Sequence, residues 1–255
     1  MIERGEIAAD LGRTQALLWS SHNRPVGRSG KSVGDFVAAA VSLVQEQGVN
    51  ALSMRAVAAK LGVRTMATYS FAPGKADLVA LMVDHAYRDL YAGGAPSTAD
   101  WREGLRTVAH TNRALHLAHP WLQELQAIRS PMGPHEMRKH ELELAPIEGI
   151  GLTDPEMDQT LSQLLAQVAH AARMENRLRA EQGETGLEDG EWWVQAMPVL
   201  ERLVDPKMFP LSVRVGTAAA AARSGQFWGQ EAFEFGLERL LDGVEVLVQR
   251  RKASR

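Results

Sequence analysis

Most residues in this chain that could carry chemistry fail on spacing. Gly30-Lys31-Ser32 has the ending of a phosphate-binding loop, but such a loop needs a glycine five residues before the last glycine, and Pro25 stands there with no strand ahead of it. His135-Glu136 begins like a zinc-protease helix, whose second histidine must follow four residues later so that both imidazoles share a face. Position 139 is Lys139 and the next histidine is His140. Gly149 and Gly151 lack the third glycine of a dinucleotide fingerprint and follow Pro146 rather than a strand. His116 and His119 have helical spacing, but with no neighbouring carboxylate and with Pro120 adjacent they read as helix-end histidines, not metal ligands. The chain has no cysteine, which removes thiolate metal sites, disulfides and cysteine nucleophiles together. No nucleophile elbow or paired-carboxylate constellation stands out. These patterns imply no catalytic residue, no metal and no cofactor, so the chain is not expected to be an enzyme.

One constellation survives. The segment LSMRAVAAKLGV followed by RTMATYSF reads as two short helices joined by a glycine turn, the layout of a helix-turn-helix. Small Ala58 and Ala59 let the helices approach, Gly62 supplies the turn conformation, and Val63 is expected to plug the core beneath it. Arg64, Thr65, Met66, Thr68, Tyr69 and Ser70 are then left facing outward, a set able to donate to phosphates and to touch base edges or thymine methyls. The charge agrees. Residues 24–75 hold seven basic and two acidic side chains, while the whole chain is −3, so one end suits a polyanion and the remainder is acidic.

The elements that must position these residues are helical. Val33, Phe36, Val37, Ala40, Val41 and Val44 form an amphipathic stripe ended by Gly48. Ser53 caps a helix striped by Met54, Val57, Ala58 and Leu61, and a third helix fits between Val63 and Phe71. A fourth begins near Lys75, carries Val79, Met82, Val83, Ala86 and Leu90, and stops at Gly93-Gly94. Further periodic stretches run over 98–117, 121–129, 135–144, 154–181, 191–203 and 231–251. No run alternates as a strand would, so nine or ten helices and an all-α fold are expected. Residues 1–32 are mixed and form a basic N-terminal extension in which Arg24-Pro25 and Gly27-Arg28-Ser29-Gly30 read as a flexible arm, with Arg28 and Lys31 as further DNA-binding candidates. Residues 33–78 are expected to form the helix-turn-helix domain and 79–255 a helical regulatory and dimerisation domain. No secretion signal or apolar run of about 18 residues occurs, so a cytoplasmic protein with no membrane partner is expected.

From Phe36 to Met82 the sequence, FVAAAVSLVQEQGVNALSMRAVAAKLGVRTMATYSFAPGKADLVALM, resembles the DNA-binding region of tetracycline-repressor (TetR) family regulators. The segments DWREGLRTVAHTNRALHLAHPWLQEL and FEFGLERLLDGVEVLV, with the PMGP stretch, resemble the C-terminal regions of its tetracycline-repressor-like subgroup. One departure is Phe71-Ala72, where many members have His-Phe. The resemblance implies an all-α fold, an N-terminal three-helix helix-turn-helix domain followed by a helical ligand-binding and dimerisation domain. It makes Arg64, Thr65, Met66 and Thr68 groove-facing, Ser53, Arg55 and Tyr69 phosphate contacts, and Lys75 the phosphate-binding lysine at a helix N-terminus.

A homodimer is expected because one short helix reads too few base pairs. Leu161, Leu164, Leu165 and Val168 on the long helix and Leu237, Leu240, Leu241 and Val244 on the last are assigned to its interface by the resemblance. Asn112 and His116, together with Gln163, Gln167, His170 and Met174, are candidates to bind a small-molecule effector, because polar groups among apolar ones need partners. The expected protein is a transcriptional regulator, a repressor released from double-stranded palindromic operator DNA when that effector binds. The competing reading is an all-α enzyme or ligand-binding protein in which the helix-turn-helix is only scaffold.

Overall fold

The computed structural model describes residues 4–20, 22–23, 25–26, 29–127, 129–223 and 229–253, without the side chains of residues 4–9, 189 and 223. Twelve α-helices lie among these residues, with no strand. The first, α1 (Arg4–Leu18), precedes the head helices α2 (Val33–Gln47), α3 (Met54–Leu61) and α4 (Thr65–Thr68). Next come α5 (Lys75–Ala86), α6 (Trp101–Ala118), α7 (Trp121–Leu125) and α8 (Pro134–Leu144). The long α9 (Asp154–Thr185), then α10 (Asp189–Leu203), α11 (Pro210–Arg223) and α12 (Gly229–Ala253) complete the chain.

The residues that resembled a phosphate loop start a helix instead. Ser32 caps α2, accepting from the Asp35 amide at 3.1 Å while Asp35 accepts from the Ser32 amide at 2.8 Å. Behind that cap, Phe36, Val37, Ala40 and Val44 enter a core with Val57, Leu78, Leu81 and Met82. Trp121 and Leu122 of α7 enter the same core, which therefore continues from the head into the rest of the chain. A second core joins α6, α9 and α12 through Leu105, Val108, Leu161, Leu164, Leu237 and Leu241. The expected domain boundary after residue 78 falls inside α5, which runs unbroken across it.

Residues 4–18, in which the sequence shows no element, form α1 and dock on α5. Thr14 donates to the buried Asp77 at 2.6 Å, and the Trp19 indole donates to the Met132 carbonyl at 3.1 Å. Its contacts with α5 and with residues 131–132 are tertiary, and spacing along the chain does not reveal them. The stripe expected on α5 is also turned. Leu78, Leu81 and Met82 are buried with Asp77 and Asp84, whereas Val79 and Val83 are half-buried.

The expected dimer seam is corrected too. Leu161, Leu164, Val168, Leu237, Leu241 and Val244 are buried inside one chain, where α6, α9 and α12 pack together, and Leu165 and Leu240 lean on that core. An apolar period says that a helix face is covered; it does not say whether the cover belongs to the same chain.

Candidate nucleic-acid interface

The turn between α3 and α4 is built as the sequence requires. Gly62 sits at φ +74°, the left-handed region that glycine adopts freely, and its amide closes the end of α3. Ser53 caps the other end by accepting from the Ala56 amide at 3.2 Å. Ala58 is buried against its neighbours, but Ala59 is exposed and Val63 only half-buried, so one small residue rather than two sets the approach of the helices.

Because α4 has a single turn, its period sorts its residues onto two faces. Ala67, Thr68 and Phe71 point inward, and Thr65, Met66, Tyr69 and Ser70 point outward. Met66 is 78% exposed and Tyr69 49%, an unusual display for large apolar side chains on a well-packed head. Arg64, at the N-cap, is exposed beside them. Thr68 is the correction: it is 0% exposed and donates its hydroxyl to the Thr65 carbonyl at 2.6 Å, so it holds the turn and is not available to a groove. Phe71 stacks on Phe36 at 5.2 Å with Ala72 buried next to it, so the departure at these two positions fills the head's core.

The cations divide by partner. Lys60 is tied to Glu46 at 2.8 Å, which lowers the Glu46 pKa through hydrogen bonds from Lys60 and Ser42. Arg55, Arg64 and Lys75 are exposed and form no ion pair among the described residues. Lys75 opens α5, whose N-cap Gly74 offers no side-chain cap, leaving first-turn amides beside the ammonium. Lys31 is exposed in the turn ahead of α2, and Arg28 lies outside the described residues. Serine, arginine, threonine, methionine, tyrosine and lysine at 53, 55, 64–66, 69 and 75 therefore all reach solvent on α3, α4 and the start of α5.

The proposed effector residues do not converge. Asn112 and His116 are buried on α6, but Gln163, His170 and Met174 are exposed on the side of α9 turned away from its core, and the Gln167 amide lies against Gly236 of α12. Asn112 is satisfied, donating to Glu143 at 2.5 Å and to the Val108 carbonyl at 2.9 Å. His116 is not: its Nδ1 is buried without a partner among the described residues, as are Nε of Arg113 and Nε1 of Trp121. Burial, then the charges of Lys139 and Arg173, lower the His116 pKa to about 4, so the ring is neutral near pH 7.

Two polar clusters were not visible in the sequence. Glu143, 0% exposed, accepts from the Tyr91 hydroxyl at 2.6 Å, from Asn112, and from Lys139 at 2.6 Å. Burial and the adjacent Glu143 carboxylate push the Tyr91 phenol above its ordinary range. Asp84 of α5 accepts the His135 and Glu136 amides at 3.0 Å each and the His135 ring Nδ1 at 2.7 Å, capping α8 from outside. The one available signal was phase: Asp77 and Asp84 fall on the same α5 face as Leu81. A cleft of about 110 Å³ lies beside these clusters between Tyr87, Tyr91, His135 and Arg138, well below the volume of ordinary ligand pockets.

Comparison with known proteins agrees with this arrangement. Residues 36–82 match the model described as bacterial regulatory proteins, tetR family, and residues 93–248 match the tetracyclin repressor-like C-terminal domain. The chain is 35% identical over 250 residues to the HTH-type transcriptional repressor DrrR1 of Streptomyces coeruleorubidus, covering 96% of this chain and 89% of that one. A TetR transcriptional regulator from Streptomyces coelicolor superposes with a TM-score of 0.66 at 25% identity, over 85% of this chain and 98% of the other. ActR of the same organism, solved in complex with actinorhodin, gives 0.70 at 22% identity, over 84% and 95%. With both of its segments matched, an exposed one-turn recognition helix and unpaired cations around it, the chain belongs to the tetR family of bacterial regulatory proteins.

Proposed function

We propose that the protein is a homodimeric repressor that occupies a palindromic operator through α4 and leaves it when a small molecule binds the helical body. The observation that carries the reading is the outward face of α4, with Arg64, Thr65, Met66 and Tyr69 in solvent and Arg55 and Lys75 unpaired beside it. Arg64, Thr65 and Met66 would touch base edges, while Ser53, Arg55, Tyr69 and Lys75 would hold phosphates, with Arg28 and Lys31 adding charge from before α2. The reading is of a regulator, not an enzyme, acting in the cytoplasm where its operator lies. No helix among the described residues is long and apolar enough to cross a membrane.

Two recognition helices are needed to read a useful length of DNA, so a twofold dimer belongs to the proposal. The leucines assigned to its seam are occupied inside the chain, so the dimer must use the outward faces of α9 and α12. Those faces carry Met174, Phe235 and Val246, all exposed. The effector would enter near His116, whose Nδ1 is buried without a hydrogen-bond partner among the described residues and would be satisfied by a ligand offering a neutral hydrogen-bonding group.

Replacing Lys75 by alanine tests the core of this reading. Binding to DNA from upstream of its own gene, followed by fluorescence anisotropy across salt, is expected to weaken on every sequence. Its log-log salt slope should shrink by about 0.9 if one phosphate contact is lost. An unchanged slope would show that Lys75 holds no phosphate, and salt-insensitive or absent binding by the wild type would refute the DNA-binding reading.

A further inference from the structure

α1 joins parts of the chain that lie far apart in sequence. Leu18 is buried in the core that the head shares with α7, and Leu17 packs against that core, so this end of the helix is rooted. The His22 ring donates from Nε2 to the Leu17 carbonyl at 2.9 Å, and the Gly34 amide of α2 donates to the His22 carbonyl at 3.0 Å. The other polar contacts of α1 divide by direction. Thr14 donates to Asp77 at 2.6 Å and Arg13 lies 3.9 Å from the same carboxylate, which sits in the first turn of α5 with Lys75. The Gln15 amide donates to the Pro131 carbonyl at 3.3 Å and the Trp19 indole to the Met132 carbonyl at 3.1 Å, in the turn that enters α8.

That turn is where the backbone is strained. Met132, at φ +56°, is the one non-glycine residue in the left-handed region among the described residues, a conformation that persists where its surroundings impose it. The surroundings here are α1 through Trp19 and α5 through Asp84, whose carboxylate leaves no room for a Cβ at the next residue, Gly133. Asp77 and Asp84 stand seven residues apart on α5, about 10 Å along its axis. A single attachment to the α8 entry would act as a pivot, whereas two at that separation fix an angle. A tilt of about 15° around Asp84 would carry Lys75, ~13 Å away along the helix, by about 3.4 Å, the rise of one base pair.

We propose that α1 is a brace that sets the angle of α5 against α8, and that Thr14, Gln15 and Trp19 are positioning residues for the half-site spacing the protein accepts. The inference rests on the twofold operator reading proposed above and adds what fixes the separation of the two heads. Their polar partners lie on α5 and in the 131–132 turn rather than on α4, so they govern where the recognition helix stands and not which bases it reads. The brace works in series, from Asp77 through α1 to the turn. Releasing either end frees the angle, and releasing both frees it no further.

Thr14→Val releases the α5 end, Gln15→Ala with Trp19→Phe releases the turn end, and the triple variant releases both. Each full-length protein selects duplexes from random DNA. The palindrome recovered by the wild type is then rebuilt with one base pair added at or removed from its centre, and binding is followed by fluorescence anisotropy. The wild type is expected to return one spacing and to bind the altered palindromes at least about tenfold more weakly. Either release is expected to return the same half-site sequence at two or more adjacent spacings, to narrow that penalty to about threefold or less, and to match the triple variant. Thr14→Ser keeps the hydroxyl and should keep the wild-type spacing; if it behaves as Thr14→Val does, the hydrogen bond is not the brace. One sharp spacing from both releases, an effect from one end alone, or a changed half-site sequence would overturn the proposal. Should Thr14→Val fail to fold by urea unfolding, the variant at the exposed Gln15 and Trp19 decides by itself. No palindrome enriched by the wild type would refute the operator reading itself and the brace with it.

Discussion

Asp84 is one residue through which α5 holds α8, and its removal has a calculable consequence. It lies on α5 nine residues after Lys75, roughly 13 Å along the axis, so one rigid helix carries a proposed phosphate ligand near one end and a cap for α8 near the other. The carboxylate is 3% exposed and accepts three hydrogen bonds from α8, two from its first amides and one from the His135 ring, which must carry its proton on Nδ1 because a carboxylate only accepts. The N-cap Gly133 has no side chain to take over, and a Cβ at that position would overlap the Asp84 carboxylate. Losing such a cap costs about 1 kcal/mol, and leaving buried donors unpaired adds roughly 2 kcal/mol more. Asp84→Ala should therefore destabilise the chain by about 3 kcal/mol, a fall in Tm of roughly 6–12 °C for a chain of this size. Asp84→Asn keeps one oxygen for the two amides and should lose only about 1 kcal/mol. Urea unfolding of the two variants measures both. An alanine variant within about 0.5 kcal/mol of wild type, or an asparagine variant equally damaged, would refute the capping argument.

Other outcomes follow from the same geometry. Thr68→Val should reduce stability by about 1 kcal/mol while leaving DNA affinity intact, and Thr65→Ala should do the reverse, with roughly tenfold weaker binding and unchanged urea unfolding; matching effects on DNA would return Thr68 to the groove. Glu143→Gln places an amide donor among three donors, so a loss of about 3 kcal/mol is expected by urea unfolding, and a neutral result would show that the cluster is solvated. His116 supplies a pH signature. Its folded pKa of about 4 lies below the 6.5 ordinary for histidine, so the unfolded chain binds more protons between these values and stability falls as pH drops through that window. The loss should reach roughly 2 kcal/mol by pH 5, and His116→Asn should flatten that part of the profile; a variant with the wild-type slope would assign it to other groups.

The head was legible because its signals are local. A cap at Ser53, a left-handed glycine at Gly62 and a 3.6-residue apolar period each act within a few residues, so α2 and α3 stand where their sequence predicts them. Thr68 was misplaced because a one-turn helix has too few residues to display a period, and threonine suits either face. α1 was missed for a different reason: Thr14, Gln15 and Trp19 find their partners at Asp77, Pro131 and Met132, far away in the chain. α11 carries no sharp apolar stripe, and its run of alanines gives a helix without saying what it packs on.

Composition, caps and periodicity by themselves determined the all-α class, the helix-turn-helix and the polarity of its charge, since each depends on neighbours along the backbone. Only the tertiary structure decided which leucines of α9 and α12 fill the chain's own core, that Gln163, His170 and Met174 stand apart from Asn112 and His116, that Asp84 caps α8, and that Glu143 of α8 is held by Tyr91 and Asn112. The physical reason is that burial of an apolar stripe is favourable against any apolar surface, whereas a hydrogen bond or an interface requires a particular partner whose position is fixed by the whole fold.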